Sequence, residues 1–398
     1  MSTSPLSRLA PTSALRQLKA DETPNVTNME LFFDLVYVFT IIQLSHYLLE
    51  HQSWLGALQF AILFAAVWWA WNYTAWATNW LNPDHKAGRL FMVVLMACAL
   101  LMAIAMPYAY SETATLFVGA YIVMGLFRAG YMALLFRGQQ MGQNYAQLFT
   151  WSAIAAIFWI AGAVFPESRT VLWLTAVLID YTAPFTGFWL PSLGATSMDS
   201  WPLSGLHLLE RNQQVFIIAL GESILLLGGT LVGTTISFTV GLAAAFGFGS
   251  IVLLWWLYFV RTTSAGEEVF EQEGDHTELA RSGLAYSHGV MVCGAIIVAV
   301  AIEQIIAHPD SAVHLPVVIV TTLGPIIYLL GSVLFYRSLT GQVPLRYLLA
   351  IATLAVWGVV AALLHVSGLV LGVGVFAILL GLIAATKEHS SQSINAQT

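Results

Sequence analysis

Apolar stretches of about twenty residues recur along the chain, separated by short polar breaks. At ~1.5 Å rise per residue, about twenty residues cross the ~30 Å hydrocarbon core of a bilayer, so each stretch predicts a spanning helix. Twelve are read: roughly 30–49, 54–79, 88–109, 112–136, 144–164, 168–190, 207–229, 236–261, 282–306, 313–336, 345–365 and 368–386. No long alternation of polar and apolar positions marks a closed β-barrel, and helices satisfy their own backbone in lipid. The expected fold is all-α, a polytopic membrane protein with the lipid bilayer as its first partner.

Composition agrees with this pattern. Only 9% of residues are charged and 58% are hydrophobic, and mean hydropathy is +0.78. The sign of the charges then sets orientation. With the N-terminus inside, Arg8, Arg16, Lys19, Lys86, Arg89, Arg137, Arg261, Arg281, Arg337, Arg346 and Lys387 fall in or beside cytoplasmic segments. Arg128 and Arg211 lie within spans, and only Arg169 falls outside, a strong positive-inside bias. Both termini are expected in the cytoplasm of a bacterial cell, with the protein in the inner (plasma) membrane.

The chain divides into a polar N-terminal segment (1–28), a first six-helix repeat (29–190), a linker rich in Pro, Gly and Ser (191–206), a second repeat (207–386) and a polar tail (387–398) expected to be disordered. The N-terminal segment lacks the apolar core of a cleaved leader. The repeats are read from three echoes. A shift of 176 positions sets Asp34 on Glu210 and His46 on Glu222; VWWAWNY at 67–73 resembles LWWLYFV at 254–260; and Cys98 pairs with Cys293. Six helices per unit keep both halves in one orientation, so the repeats are parallel and a substrate site is expected between them. Gly241, Ala245 and Gly249, at four-residue spacing, are candidates for close helix packing.

Ionisable residues inside spans are costly and therefore informative. The span Met29–Leu48 carries Glu30, Asp34 and His46. Glu30 and Asp34 share a helix face, with Glu30 read as an interfacial residue at the helix start. Arg211 follows Glu210 directly and points about 100° away, so its partner is expected on another helix, with Asp34 and Asp180 as candidates. Glu222, flanked by Gly221 and Ser223, is a candidate proton- or cation-handling group. Asp180 precedes Pro184, which can break the helix near it. His207 and Glu210 lie three apart at a helix start, where capping outweighs metal binding. The acidic run Glu267, Glu268, Glu271, Glu273 and Asp275 reads as a solvated face. The candidate substrate- or ion-binding residues are Asp34, Glu210, Arg211, Glu222, Asp180 and His46.

Other chemistries find no motif. The chain has no phosphate loop, nucleophile elbow or ligand-rich metal pattern, so no cofactor, metal site or catalytic residue is assigned and an enzyme is the less favoured reading. Nucleic-acid binding has no support from the charge distribution. Cys98 and Cys293 read as small buried apolar residues.

Glu30-Leu31-Phe32-Phe33-Asp34-Leu35-Val36-Tyr37-Val38, His207-Leu208-Leu209-Glu210-Arg211, Ala219-Leu220-Gly221-Glu222-Ser223 and Tyr286-Ser287-His288 resemble the low-temperature-requirement A (LtrA) family of bacterial membrane proteins. The resemblance runs over nearly all of residues 25–386. Asn212-Gln213-Gln214 departs from it, standing where apolar or aromatic residues are expected. The resemblance implies a multi-pass inner-membrane protein linked to growth in the cold, and implies no particular reaction. A fainter similarity, to potassium channels with a Phe-Ser-Asp motif on the first helix of each repeat, is confined to Glu30–Leu44 and has Phe33 in place of the Ser. The expected function is a transporter or channel for a small solute or ion; the alternative is a membrane-embedded enzyme or accessory factor acting on lipid or lipid-linked substrate.

Overall fold

The computed structural model describes residues 10–16, 25–271 and 277–386, with the side chain of Met198 left out. The tail and the acidic residues Glu273 and Asp275 lie outside the described residues. Among the described residues, eleven helices are long and apolar enough to cross a membrane. In chain order they are α1 (Asn28–Glu50), α2 (Trp54–Trp80), α3 (Lys86–Tyr108), α4 (Ala114–Leu135), α5 (Gln140–Val164), α7 (Gly205–Gly233), α8 (Phe238–Phe270), α9 (Thr277–Ala307), α10 (Leu315–Thr340), α11 (Leu345–Leu364) and α12 (Gly368–Ala385). The protein is an all-α, multi-pass membrane protein.

The stretch expected as a sixth span, 168–190, forms only the short helix α6 (Arg169–Thr182). Fourteen residues reach about 21 Å, short of the ~30 Å core. The helix stops two residues before Pro184, which has no N–H to donate to the carbonyl four residues back. The chain then turns through Gly187 and Phe188, both with positive φ. A Cβ on Gly187 would come within 2.7 Å of the Thr196 carbonyl, so glycine is required there.

Two compact units are built from these helices. The first holds the described chain up to Arg211 together with Thr277 and Glu278; the second holds the rest. In the first, α1 lies against α2 and α3, α4 against α3 and α5, and α6 against α2 and α5. In the second, α9 and α10 pack most closely, α8 touches α9 and α12, and α11 lies between α10 and α12. Helices α8 and α9 run past their expected inner ends, to Phe270 and from Thr277, so much of the expected acidic loop is helical. Each carries a wide π turn, Leu257–Thr262 and Ala280–Ser287. Side chains stitch these turns to carbonyls five residues back: Thr262 to Leu257 at 2.8 Å and Ser287 to Ser282 at 2.9 Å.

Glycine sets the spacing of α9 and α10. A Cβ on Gly331 would lie 2.7 Å from the Met291 nitrogen and one on Gly324 2.9 Å from the Val298 nitrogen. Both are backbone atoms, which cannot swing aside. Of the glycines expected at interfaces, Gly249 faces the Phe376 ring, whereas nothing lies within 4 Å of a Cβ at Gly241. Gly331→Val should therefore overpack the α9–α10 contact and cost about 1–3 kcal/mol, while Gly241→Ala should be neutral or mildly stabilising. Thermal unfolding of the two variants in detergent checks this contrast; equal midpoints would contradict it.

Candidate functional site

The first turn of α1 is built by its own sequence. Thr27 and Glu30 form a capping box: the Glu30 nitrogen donates to Thr27 Oγ1 at 3.3 Å and the Thr27 nitrogen donates back to Glu30 Oε2 at 2.8 Å. This T-x-x-E spacing satisfies two backbone donors that a helix start leaves open. It also fixes the Glu30 carboxylate, fully buried, at the centre of a larger cluster.

Glu30 Oε2 further accepts from Thr27 Oγ1 at 3.0 Å and from Arg16 at 3.0 Å. Its other oxygen meets His207 Nε2 at 3.0 Å and Arg211 at 3.0 Å. Arg211 also donates to Thr78 Oγ1 at 3.2 Å and, through its second terminal nitrogen, to Asp34 Oδ1 at 2.6 Å. Trp71 Nε1 donates to the same Asp34 oxygen at 2.8 Å. The Trp71 ring centre is 5.9 Å from the Arg211 guanidinium carbon, within cation–π reach.

His207 is oriented by Asn79, whose side-chain nitrogen lies 3.2 Å from His207 Nδ1. An amide NH2 can only donate, so Nδ1 accepts and Nε2 carries the proton toward Glu30, with Arg16 Nη2 packed 3.3 Å from that nitrogen. That neutral tautomer leaves Glu30 and Asp34 facing Arg16 and Arg211, two negative charges against two positive. The cluster is electrically closed. Two of its atoms have no hydrogen-bond partner, Asp34 Oδ2 and Arg211 Nε.

The cluster sits at one end of its helices. Asp34 is six residues into α1 and Arg211 six into α7, each about 9 Å along. Thr78 lies near the end of α2. The N-terminal stretch is part of it: Ala14 is fully buried, the Arg16 nitrogen donates to the Trp80 carbonyl at 2.8 Å, and Arg16 Nε donates to the Thr78 carbonyl at 2.8 Å.

Of the residues expected to form the site, Asp34 and Arg211 are joined directly, and Asp34 rather than Asp180 is the partner of Arg211. Glu210 is exposed and bonds the Val26 backbone, beside Glu30 and Arg211. His46 is half-buried on α1, about 18 Å beyond Asp34. Asp180 is buried elsewhere in the first unit, bonded to Tyr121 at 2.7 Å. Glu222, in the second unit, is 3% exposed with Oε2 unpartnered, and Glu303 is its charged neighbour. His288, also in the second unit, bonds the Gly283 carbonyl through Nδ1 at 2.9 Å and stands edge-on to the Phe335 ring. Among the described residues, no group of three or more His, Cys, Asp or Glu could hold a metal ion.

Sequence reasoning missed Glu30 as the hub, and it missed Arg16, His207 and Trp71 as partners. The T-x-x-E pattern at 27–30 was the available signal for Glu30. Arg16, fourteen residues upstream in a polar segment, gave none.

A multi-pass helical membrane protein with a buried, charge-balanced cluster is the class these features define. Residues 25–384 match the family described as bacterial low temperature requirement A protein (LtrA). The chain is also 32% identical over 344 residues to the uncharacterised protein RA0937 of Rhizobium meliloti (strain 1021), covering 85% of this chain and 84% of that one. No solved structure matches. The chain belongs to the LtrA family and is a bacterial multi-pass inner-membrane protein.

The charge count makes a direct prediction. Glu30→Gln leaves two arginines against one carboxylate, and breaking a buried pair in this way costs about 3–5 kcal/mol. Arg16→Gln in the same chain restores neutrality. The double variant should therefore be more stable than Glu30→Gln alone, read as monodisperse yield and melting temperature in detergent. Additive losses would show that the charges do not act as one balanced set.

Proposed function

We propose that this protein moves a small solute or ion across the inner membrane through the polar interior of its first unit, with the Asp34–Arg211 pair on the path. The observation that carries this reading is the pair of open hydrogen-bonding positions, Asp34 Oδ2 and Arg211 Nε, inside an otherwise bonded and neutral cluster. A buried donor or acceptor left without a partner costs about 1–3 kcal/mol, so these two positions suit a polar guest. Apolar packing of similar volume is often as stable as a buried ion pair, so helix cohesion alone does not call for charges here. Its place near one end of α1, α2 and α7 suits a gate better than a midplane binding site. Glu222, buried with a bare oxygen, is proposed as a second proton- or cation-handling group.

Reconstitution into liposomes with a screen of potassium, sodium, chloride and proton fluxes tests the reading. The wild type should conduct above protein-free vesicles. Asp34→Asn keeps the shape and most hydrogen bonds but removes the charge. If the pair lies on the path, the variant should reach the membrane at normal abundance while flux falls about tenfold or more, equivalent to ~1.4 kcal/mol on the barrier. Disappearance of the variant from the membrane would instead assign the pair a structural role. Lipid turnover without flux would move the protein to the alternative class. Full cold-growth complementation by Asp34→Asn with Glu222→Gln would remove both residues from the mechanism.

Orientation belongs to the same proposal. Both termini are proposed to face the cytoplasm, which requires α6 and its neighbouring turns to carry the chain across. Single cysteines placed at Pro166 and Gln392 should then label from opposite sides of the membrane. Labelling from one side would mean that α6 does not cross and that the termini lie on opposite faces.

A further inference from the structure

A second pair of buried charges lies in the first unit on a different face of α2. Arg128, on α4, is 3% exposed. One of its terminal nitrogens donates to the Ala70 carbonyl at 2.8 Å and to Thr74 Oγ1 at 3.1 Å, and its guanidinium carbon is 5.3 Å from the Tyr73 ring centre. Its Nε has no hydrogen-bond partner. Among the described residues no carboxylate forms an ion pair with it.

Asp180, on α6, is 7% exposed and accepts from the Tyr121 hydroxyl at 2.7 Å. Arg128 and Asp180 line one cavity of about 20 Å³, room for one or two waters or a single monatomic anion. The charged and titratable groups facing Asp180 there are Tyr73 from α2 and Tyr121 and Arg128 from α4. Helix α5 contributes Ser152 and Trp159, which do not ionise. Tyr181, next in sequence to Asp180, is engaged with the Ala65 carbonyl at 3.0 Å. The wall is thus rich in N–H and O–H donors, with one acid facing them.

An arginine stays charged in a protein, and an uncompensated buried charge is strongly unfavourable. This cavity can be neutralised in two ways. Either Asp180 is ionised and water spans the gap to Arg128, or Asp180 holds a proton and a small anion lies against Arg128. The two states differ by one proton and one anion, with no change in net charge. We propose that the cavity is a site for a chloride-sized inorganic anion, and that filling it is coupled to protonation of Asp180. The site is separate from the Asp34–Arg211 cluster and does not rest on the transport reading.

Binding of radiolabelled chloride to the purified full-length protein in detergent, against gluconate at constant ionic strength, tests this without any flux. Saturable binding is expected, weakening about tenfold per pH unit where Asp180 is ionised in the empty protein, as one-to-one proton linkage demands. Asp180→Asn, which mimics the protonated acid, should bind with little pH dependence. Arg128→Gln should abolish binding. Should Arg128→Gln not fold, Arg128→Lys keeps the charge without Nε and should bind more weakly. A wild type that binds no chloride would overturn the proposal and leave a water-bridged ion pair. So would binding that survives in Arg128→Gln, wild-type affinity in Arg128→Lys, or pH dependence that persists in Asp180→Asn.

Discussion

A carboxylate in hydrocarbon must be compensated or lose its charge, and Glu30 is compensated by five hydrogen-bond contacts on two oxygens. That requirement organises the first unit. It draws Arg16 from the N-terminal stretch, His207 and Arg211 from the start of α7, and the capping residue Thr27 to one point. Asp34 then balances the second arginine, with Trp71 and Thr78 from α2 closing the remaining directions. No single pair could hold such a site, because each ion would keep several unsatisfied valences. Neutrality is a property of the whole set.

The second unit reaches its cohesion by another route. Lipid is as apolar as leucine, so helices there gain little from hydrophobic contact and depend on close approach. Gly324 and Gly331 bring the α9 and α10 backbones together, and the π turns carry Tyr258 and His288 to buried positions beside Phe216 and Phe335. One unit is tied by charge and the other by shape.

The spans were legible because twenty apolar residues in a row have one favourable outcome in a bilayer. Family membership was legible from the Glu30–Val38 and His207–Arg211 segments. The partnership of Arg211 with Asp34 was legible in part, since a buried arginine needs a carboxylate and few exist. What sequence could not show was which of two candidates lay within reach, because that depends on where Arg211, at the end of the first unit's share of α7, meets α1. The sixth span misled for a related reason: 168–190 has the composition of a membrane helix, yet Pro184 and the positive φ at Gly187 and Phe188 end it early. Arg16 and Arg128 stayed hidden as functional candidates because a lone arginine carries no periodic signature.

The spacing of the cluster along the chain also has a meaning in time. Arg16 and Glu30 are fourteen residues apart, whereas Asp34 and Arg211 are 177 apart. At a synthesis rate of ~5–20 residues per second, Arg211 leaves the ribosome roughly ten to thirty-five seconds after Asp34. Through that interval the growing chain contains Arg16, a counter-charge of Glu30, but not Arg211, the counter-charge of Asp34. A chain interrupted before Arg211 lacks the ion-pair partner of Asp34.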